Sequence, residues 1–173
     1  MAKTVKRKLW HKEDVVEMDH TVEEYNAGKD LQYDQQLVGY DVDGSVAYAK
    51  MLHKDGILDD GELADLEKGL GEIRELWEKG DFEVKLEDED CHTAIESYLV
   101  ANYGDVGKKI HTARSRNDQV IVTERLFIRS KLDLIREFAV KAALEFARSA
   151  KKYEFVPMPG YTHTQKAMPT TVG

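Results

Sequence analysis

The 173 residues suffice for one domain, or for a domain and part of a second, and a hydrophobic content of 42% can fill a real core. A net charge of −8 argues against a general nucleic-acid binder, whose affinity comes from neutralising phosphates with Lys and Arg, so no nucleic-acid partner is expected. The single cysteine, Cys91, allows no internal disulfide and none of the metal spacings built on paired cysteines; with no run of apolar residues long enough for a membrane span and no apolar signal-peptide centre, a soluble cytoplasmic protein without a membrane partner is expected.

The only prolines are Pro157, Pro159 and Pro169, so everything upstream is free of the strongest helix breaker and the first nine-tenths can be mostly helical, in line with an all-α chain. The first thirty residues show no clear period and read as an arm or irregular cover; His11, His20 and His53 read as structural or exposed. A helix is predicted over Asp34 to Lys54, with Val38, Val42, Val46 and Ala49 inward and Gly56 beyond its end. Asp59 followed by Glu62 has the form of a capping box, after which Leu63, Leu66, Leu70, Ile73 and Trp77 mark one face of a helix ending near Gly80. Gly69 and Gly71 inside it cost about 1 kcal/mol each relative to alanine, a deficit that packing has to offset. "FEVKL" alternates Phe82, Val84 and Leu86 and reads as briefly extended.

"EDEDCHTAIE" places four acids ahead of a shorter helix marked by Cys91, Ile95 and Leu99, with Gly104 as its stop. The acids complement the helix dipole; the competing reading is a metal site using Asp90 and His92, but hard cations need several convergent oxygens and the zinc spacings are absent, so no metal is assigned. Cys91 reads as a small buried apolar residue rather than a nucleophile.

"KKIHTARSRNDQV" gathers Lys108, Lys109, His111, Arg114 and Arg116 within nine positions of an acidic chain. Ser115, Asn117 and Asp118 are good N-cap types, and a helix start offers unpaired N–H groups and the positive end of the dipole. With Arg114 and Arg116 added, the stretch suits a carboxylate or phosphate; an ordinary capped helix with solvated arginines is the bland alternative, and Lys108 and Lys109 are read as solvated. From Asn117 to about Lys152, Val120, Ile121, Ile128, Leu132, Ile135, Phe138, Ala142 and Phe146 recur at helical spacing, predicting one long helix whose stripe needs other helices, or self-association, to cover it. "GYTHTQ", residues 160–165, sets His163 between Thr162 and Thr164 in a punctuated loop: a candidate for proton transfer, or a surface histidine. "PTT" at 169–171 reads as the start of a helix without a body, hence a truncated chain.

"LWHK", "YDVDGSVAYAKML", "DEDCHT", "GKKIHTARSRNDQV" and "MPGYTHTQKAMP", in this order from Leu9 to Gly173, resemble the N-terminal part of the argininosuccinate lyase family of the fumarase/aspartase superfamily, whose argininosuccinate branch is marked by the paired arginines of "RSRND". The resemblance implies an N-terminal helical domain, 1–112, followed by the truncated first part of a central long-helix bundle, 113–173. It implies β-elimination of argininosuccinate to arginine and fumarate, in arginine biosynthesis and the urea cycle, with no metal or organic cofactor. It implies His163 as a catalytic acid/base group, Asn117 and Thr162 at substrate-binding positions, and Ser115 and Arg116 in the same substrate loop. The family's N-terminal substrate-contacting serine has no clear match, Asp30 standing nearest; Cys91 and Thr164 replace a frequent isoleucine and leucine. The family's catalytic serine and lysine come from a downstream loop, and its active sites draw on three subunits of a homotetramer, so the chain by itself is expected to have negligible activity. Adenylosuccinate as substrate, or a non-catalytic crystallin-like member, are the alternatives.

Overall fold

Helix α1, Asp30–Lys54, buries Val38, Asp41, Val42, Ser45, Ala49 and Leu52 at spacings of three and four, and Gly56 beyond it adopts a φ of 75°. It begins four residues earlier than the sequence predicts, with Asp30 exposed in its first turn. The computed structural model describes residues 28–173 together with Thr21 and Tyr25, so the predicted arm with His11 and His20 lies outside the described residues.

Helix α2, Asp60–Lys79, starts on the expected capping box: Asp59 Oδ1 accepts from the Glu62 amide at 2.8 Å, and the Asp59 amide donates to Glu62 Oε2 at 3.2 Å. It stops at Gly80, whose φ of 80° suits the left-handed cap. The two glycines inside it differ. A Cβ on Gly69 would lie 2.6 Å from Leu99 and 2.7 Å from Tyr103, so its bareness admits the next helix, whereas Gly71 faces open space and nothing offsets its cost. Phe82 and Val84 are buried as alternation predicts, but no strand pairs with them; instead Gln35 Nε2 donates to the Phe82 carbonyl at 2.7 Å and its Oε1 accepts from the Val84 amide at 2.9 Å.

After a short 3-10 turn at Leu86–Asp88 come α3, Cys91–Tyr103, and α4, Asp105–Lys108. Asp90 caps α3 through the Thr93 amide at 2.8 Å, and Asp34 reaches across from α1 to accept from the Cys91 amide at 3.1 Å. Helices α1, α2 and α3 close on one core in which Leu52, Leu66, Leu70, Ile73, Ile95 and Leu99 are fully buried. A second 3-10 turn, Lys109–His111, leads to α5, Arg116–Lys152, whose 37 residues extend about 55 Å.

The described residues form two compact units, the first ending at Phe127 and the second comprising Ile128–Gly173. In the second, the α5 stripe residues Ile128, Leu132, Ile135, Phe138 and Phe146 are more than half exposed. Its other element corrects the expected helix start at "PTT": β1, Pro157–Thr162, and β2, Gln165–Thr171, form an antiparallel hairpin pairing Pro157 with Thr171 and Thr162 with Gln165. His163 and Thr164, with φ of 47° and 62°, make the tight two-residue turn that returns the chain on itself, so its backbone groups pair across the ribbon rather than along a helix. Pro159 and Pro169 face each other there because both strands of a two-stranded ribbon are edges. Among the described residues this is the one sheet in an otherwise helical chain.

Candidate functional site

The cationic stretch is a sequence of turns ending on α5. Ser115 is its N-cap: Ser115 Oγ accepts from the Asn117 amide at 3.2 Å, while the Ser115 amide donates to Asp118 Oδ2 at 3.3 Å. Ala113 lies just before, with a φ of 56° that a side-chain-bearing residue adopts at a cost of about 1–3 kcal/mol. Tyr48 holds the turn in that conformation, its hydroxyl donating to the Thr112 carbonyl at 2.6 Å.

The positive charges in this stretch have separate employments. Lys108 pairs with Asp105 at 2.6 Å on the surface, as a solvated pair should. Lys109, expected to be solvated, instead reaches Glu62, a half-buried carboxylate of α2. His111 Nε2 lies 2.9 Å from Glu96 Oε2, near enough for an ion pair though not aligned as a hydrogen bond. The Arg114 guanidinium stacks 4.6 Å over the Tyr48 ring; burial pulls its pKa below the ordinary arginine value, and one of its terminal nitrogens is buried without a partner. It borders a groove of about 600 Å³ between α1 and the first turns of α5, walled by Ala47, Met51, Val122 and Leu126.

Arg116 is spoken for. Its guanidinium meets Asp90 Oδ2 at 2.8 Å and donates to Thr93 Oγ1 at 2.7 Å, so the first residue of α5 is tied to the cap of α3. Asn117 is exposed, and its side-chain amide makes no hydrogen bond among the described residues. The turn Ser115–Asn117 therefore presents a free carboxamide at a helix N-terminus, beside a guanidinium held in place. Such a turn can receive a carboxylate.

One turn further along α5 a buried polar cluster appears. Asp41 Oδ2 lies 2.7 Å from His92 Nδ1, Gln119 Nε2 donates to both Asp41 oxygens at 2.9 and 3.0 Å, and Ser45 Oγ donates to Oδ1 at 3.2 Å. Burial alone would raise the Asp41 carboxyl, but the hydrogen bonds from His92 and Gln119 and the nearby positive charge outweigh it and hold it below the usual carboxylate range. Asp41, Cys91 and His92 together form a metal-capable donor set. Its lone pairs are spent otherwise: the carboxylate is filled by three donors, and burial with the nearby Asp41, Asp34 and Asp90 pushes the Cys91 thiol far up, keeping it protonated. Asp90, the carboxylate that the sequence offered beside His92, is the α3 cap and the partner of Arg116.

Sequence reasoning overlooked this cluster, although a signal existed. Asp41 and Ser45 fall on the same helical phase as Val38, Val42 and Ala49, which puts polar residues on a core-facing stripe. Gln119 and Thr123, the only α5 residues buried, lie one turn apart.

Thr162 and His163 belong to the hairpin in the second unit. Thr162 ends β1 opposite Gln165, and His163 is exposed at the turn, where Thr164 Oγ1 donates to its carbonyl at 2.6 Å. Of the five expected site residues, the structure thus gathers Ser115, Arg116 and Asn117 at one turn and Thr162 and His163 at another.

A family model described as "Lyase" matches residues 14–173. The chain is 42% identical over 163 residues to an argininosuccinate lyase of Thermotoga neapolitana, with 94% of this chain and 40% of that protein covered. It is 42% identical over 166 residues to an argininosuccinate lyase of Caldanaerobacter subterraneus (96% and 37% covered), and 43% identical over 152 residues to one of Nitrosomonas europaea (88% and 32%). The chain spans about two fifths or less of the length of these curated relatives.

Proposed function

The chain belongs to the lyase family whose model it matches, and from that premise we propose that it contributes the carboxylate-holding turn and an acid/base histidine to an argininosuccinate lyase, which releases fumarate and arginine. The observation that carries this reading is the start of α5: an exposed N-terminal turn with the Asn117 carboxamide uncommitted and Arg116 anchored beside it.

The reaction explains why such a turn is needed. Elimination begins when a proton leaves the carbon next to a carboxylate, and negative charge then builds on that carboxylate's oxygens. Donors already in place stabilise the charge without reorganising, and a single well-aimed donor contributes about 10²–10³ in rate. In this reading Asn117, Ser115 and the first amides of α5 in one subunit hold the carboxylate, while Thr162 and His163 of another subunit contact substrate and move the proton. The carbon–nitrogen bond then breaks, leaving fumarate and the guanidino group of arginine. The side-chain chemistry calls on no metal or organic cofactor.

The working form is a homotetramer in the cytoplasm, serving arginine biosynthesis and the urea cycle, with residues 1–112 as its N-terminal domain and 113–173 beginning its central bundle. The family's serine- and lysine-bearing loop has no counterpart among the 173 residues, so the chain assayed by itself is expected to give negligible turnover. The test is fumarate absorbance with the product of the complete reading frame. Argininosuccinate should be cleaved and adenylosuccinate should not; the reverse preference, or no fumarate from either, would overturn the proposal.

A further inference from the structure

Asp41, Ser45, His92, Gln119 and Thr123 are all more than nine-tenths buried, and none of them has a part in the chemistry just described. They come from three helices: Asp41 and Ser45 from α1, His92 from α3, and Gln119 and Thr123 from α5. Buried polar groups cost stability unless paired, and an apolar set of similar volume often holds helices together at least as well. Thr123 Oγ1 makes no hydrogen bond among the described residues; what the bonded members, Asp41, Ser45, His92 and the Gln119 amide nitrogen, supply is direction. The Gln119 amide can donate to both Asp41 oxygens only at one axial and rotational setting of α5, and His92 fixes the carboxylate's own orientation from the opposite helix.

The location of this constraint gives it meaning. Gln119 follows Asn117 by two residues, in the same first turns whose exposed end is Ser115–Asn117. Arg116 ties that end to Asp90 and Thr93 on α3, and Gln119 ties it to Asp41 on α1. Two anchors on neighbouring turns, to two different helices, remove both sliding and rotation of the α5 start.

We propose that Asp41 and His92 are positioning residues for the Ser115–Asn117 turn: acting through Gln119, they set the first turn of α5 so that a substrate carboxylate meets its donors already in place. This rests on reading that turn as the carboxylate-holding site. The experiment uses three variants. Gln119→Glu sets a carboxylate against Asp41, Gln119→Met keeps the volume and removes the donor, and the double variant Asp41→Asn/Gln119→Glu exchanges donor and acceptor while preserving the pair and its single charge.

The first readout is the ¹H–¹⁵N amide spectrum of Ser115–Asp118 in the 173-residue chain. Both single variants should shift these amides while the α2 amides stay put, and the double variant should return them towards the wild-type positions. The second is turnover of argininosuccinate by the product of the complete reading frame. Both single variants should lose roughly 10–100-fold in kcat/KM, since a misplacement of about 1 Å can cost about 100-fold, and the double should recover most of it. Unmoved amides in a folded Gln119→Met chain would overturn the proposal, as would a double variant no better than Gln119→Glu alone. Amides that behave as expected, in a protein whose wild type shows no turnover, would support the positioning role and count against the lyase reading only.

Discussion

Gly107 offers the sharpest structural test, because what its missing side chain makes room for is backbone. A Cβ built there would lie 2.6 Å from the Leu99 carbonyl carbon and 2.6 Å from the Val100 nitrogen, both in the middle of α3. Carbon atoms settle at about 3.5–4.0 Å, so Gly107→Ala requires a displacement of roughly 1 Å. No rotamer can supply it, since the obstructing atoms belong to a helix whose Leu99 side chain is fully buried. Overpacking of this kind costs about 1–3 kcal/mol, which exceeds the gain of up to about 1 kcal/mol from replacing a helical glycine by alanine. Gly71→Ala is the matched control, because nothing lies within 4 Å of its Cβ and only the gain applies. In urea melts of the chain followed by circular dichroism, a loss of about 2 kcal/mol lowers the midpoint by about 1 M at a slope near 2 kcal/mol/M. Gly107→Ala should fall by about that much, and Gly71→Ala should rise by a fraction of it. Because α4 runs directly into the turn before Ser115, the strain should also shift the amides of Thr112–Asn117. A Gly107→Ala chain as stable as wild type would refute the close packing of α4 on α3.

The buried Asp41 and the half-buried Asp34 of α1 should respond to pH with opposite signs. Asp41 has a depressed carboxyl, so its contribution is present above the unfolded carboxylate value near 3.9 and disappears as pH falls through the lower folded value; Asp41→Asn should cost about 1.5–3 kcal/mol at pH 7, and its deficit should shrink in acid melts below about pH 4. Asp34 is raised chiefly by burial, which disfavours its charged form in the folded chain once pH exceeds the unfolded value; Asp34→Asn, still able to accept from the Cys91 amide, should be as stable as wild type or more so at pH 7, with the gain fading in acid. The exposed α5 stripe should make the chain self-associate with rising concentration in light scattering, and Phe138→Asp with Phe146→Asp should weaken that association at least tenfold.

Much of the helical frame was legible because its determinants are local. Asp59 and Glu62 are three residues apart, and Leu66, Leu70 and Ile73 repeat on one face, so the signals for α2 lie within its own sequence. The start of α5 was legible for the same reason, Ser115 capping it through Asn117 and Asp118. The partners of its charges were not: Lys109 finds Glu62 across 47 residues, and Gln119 finds Asp41 across 78, distances over which no periodicity speaks. The hairpin was missed because its turn, His163–Thr164, takes positive φ without glycine or asparagine, and because Pro169 before two threonines looks like a helix start. Asp41 itself was visible as a polar residue on an apolar stripe, a conflict between pattern and chemistry that marks a buried network.

The central claim, that the first turn of α5 holds a substrate carboxylate, is tested most directly by steady-state kinetics of Asn117→Ala in the product of the complete reading frame, following fumarate release from argininosuccinate. Asn117 makes no side-chain hydrogen bond among the described residues, so its removal should leave the melting curve within about 0.5 kcal/mol while lowering kcat/KM by about 10²–10³. A folded Asn117→Ala enzyme with wild-type kcat and KM would contradict the account.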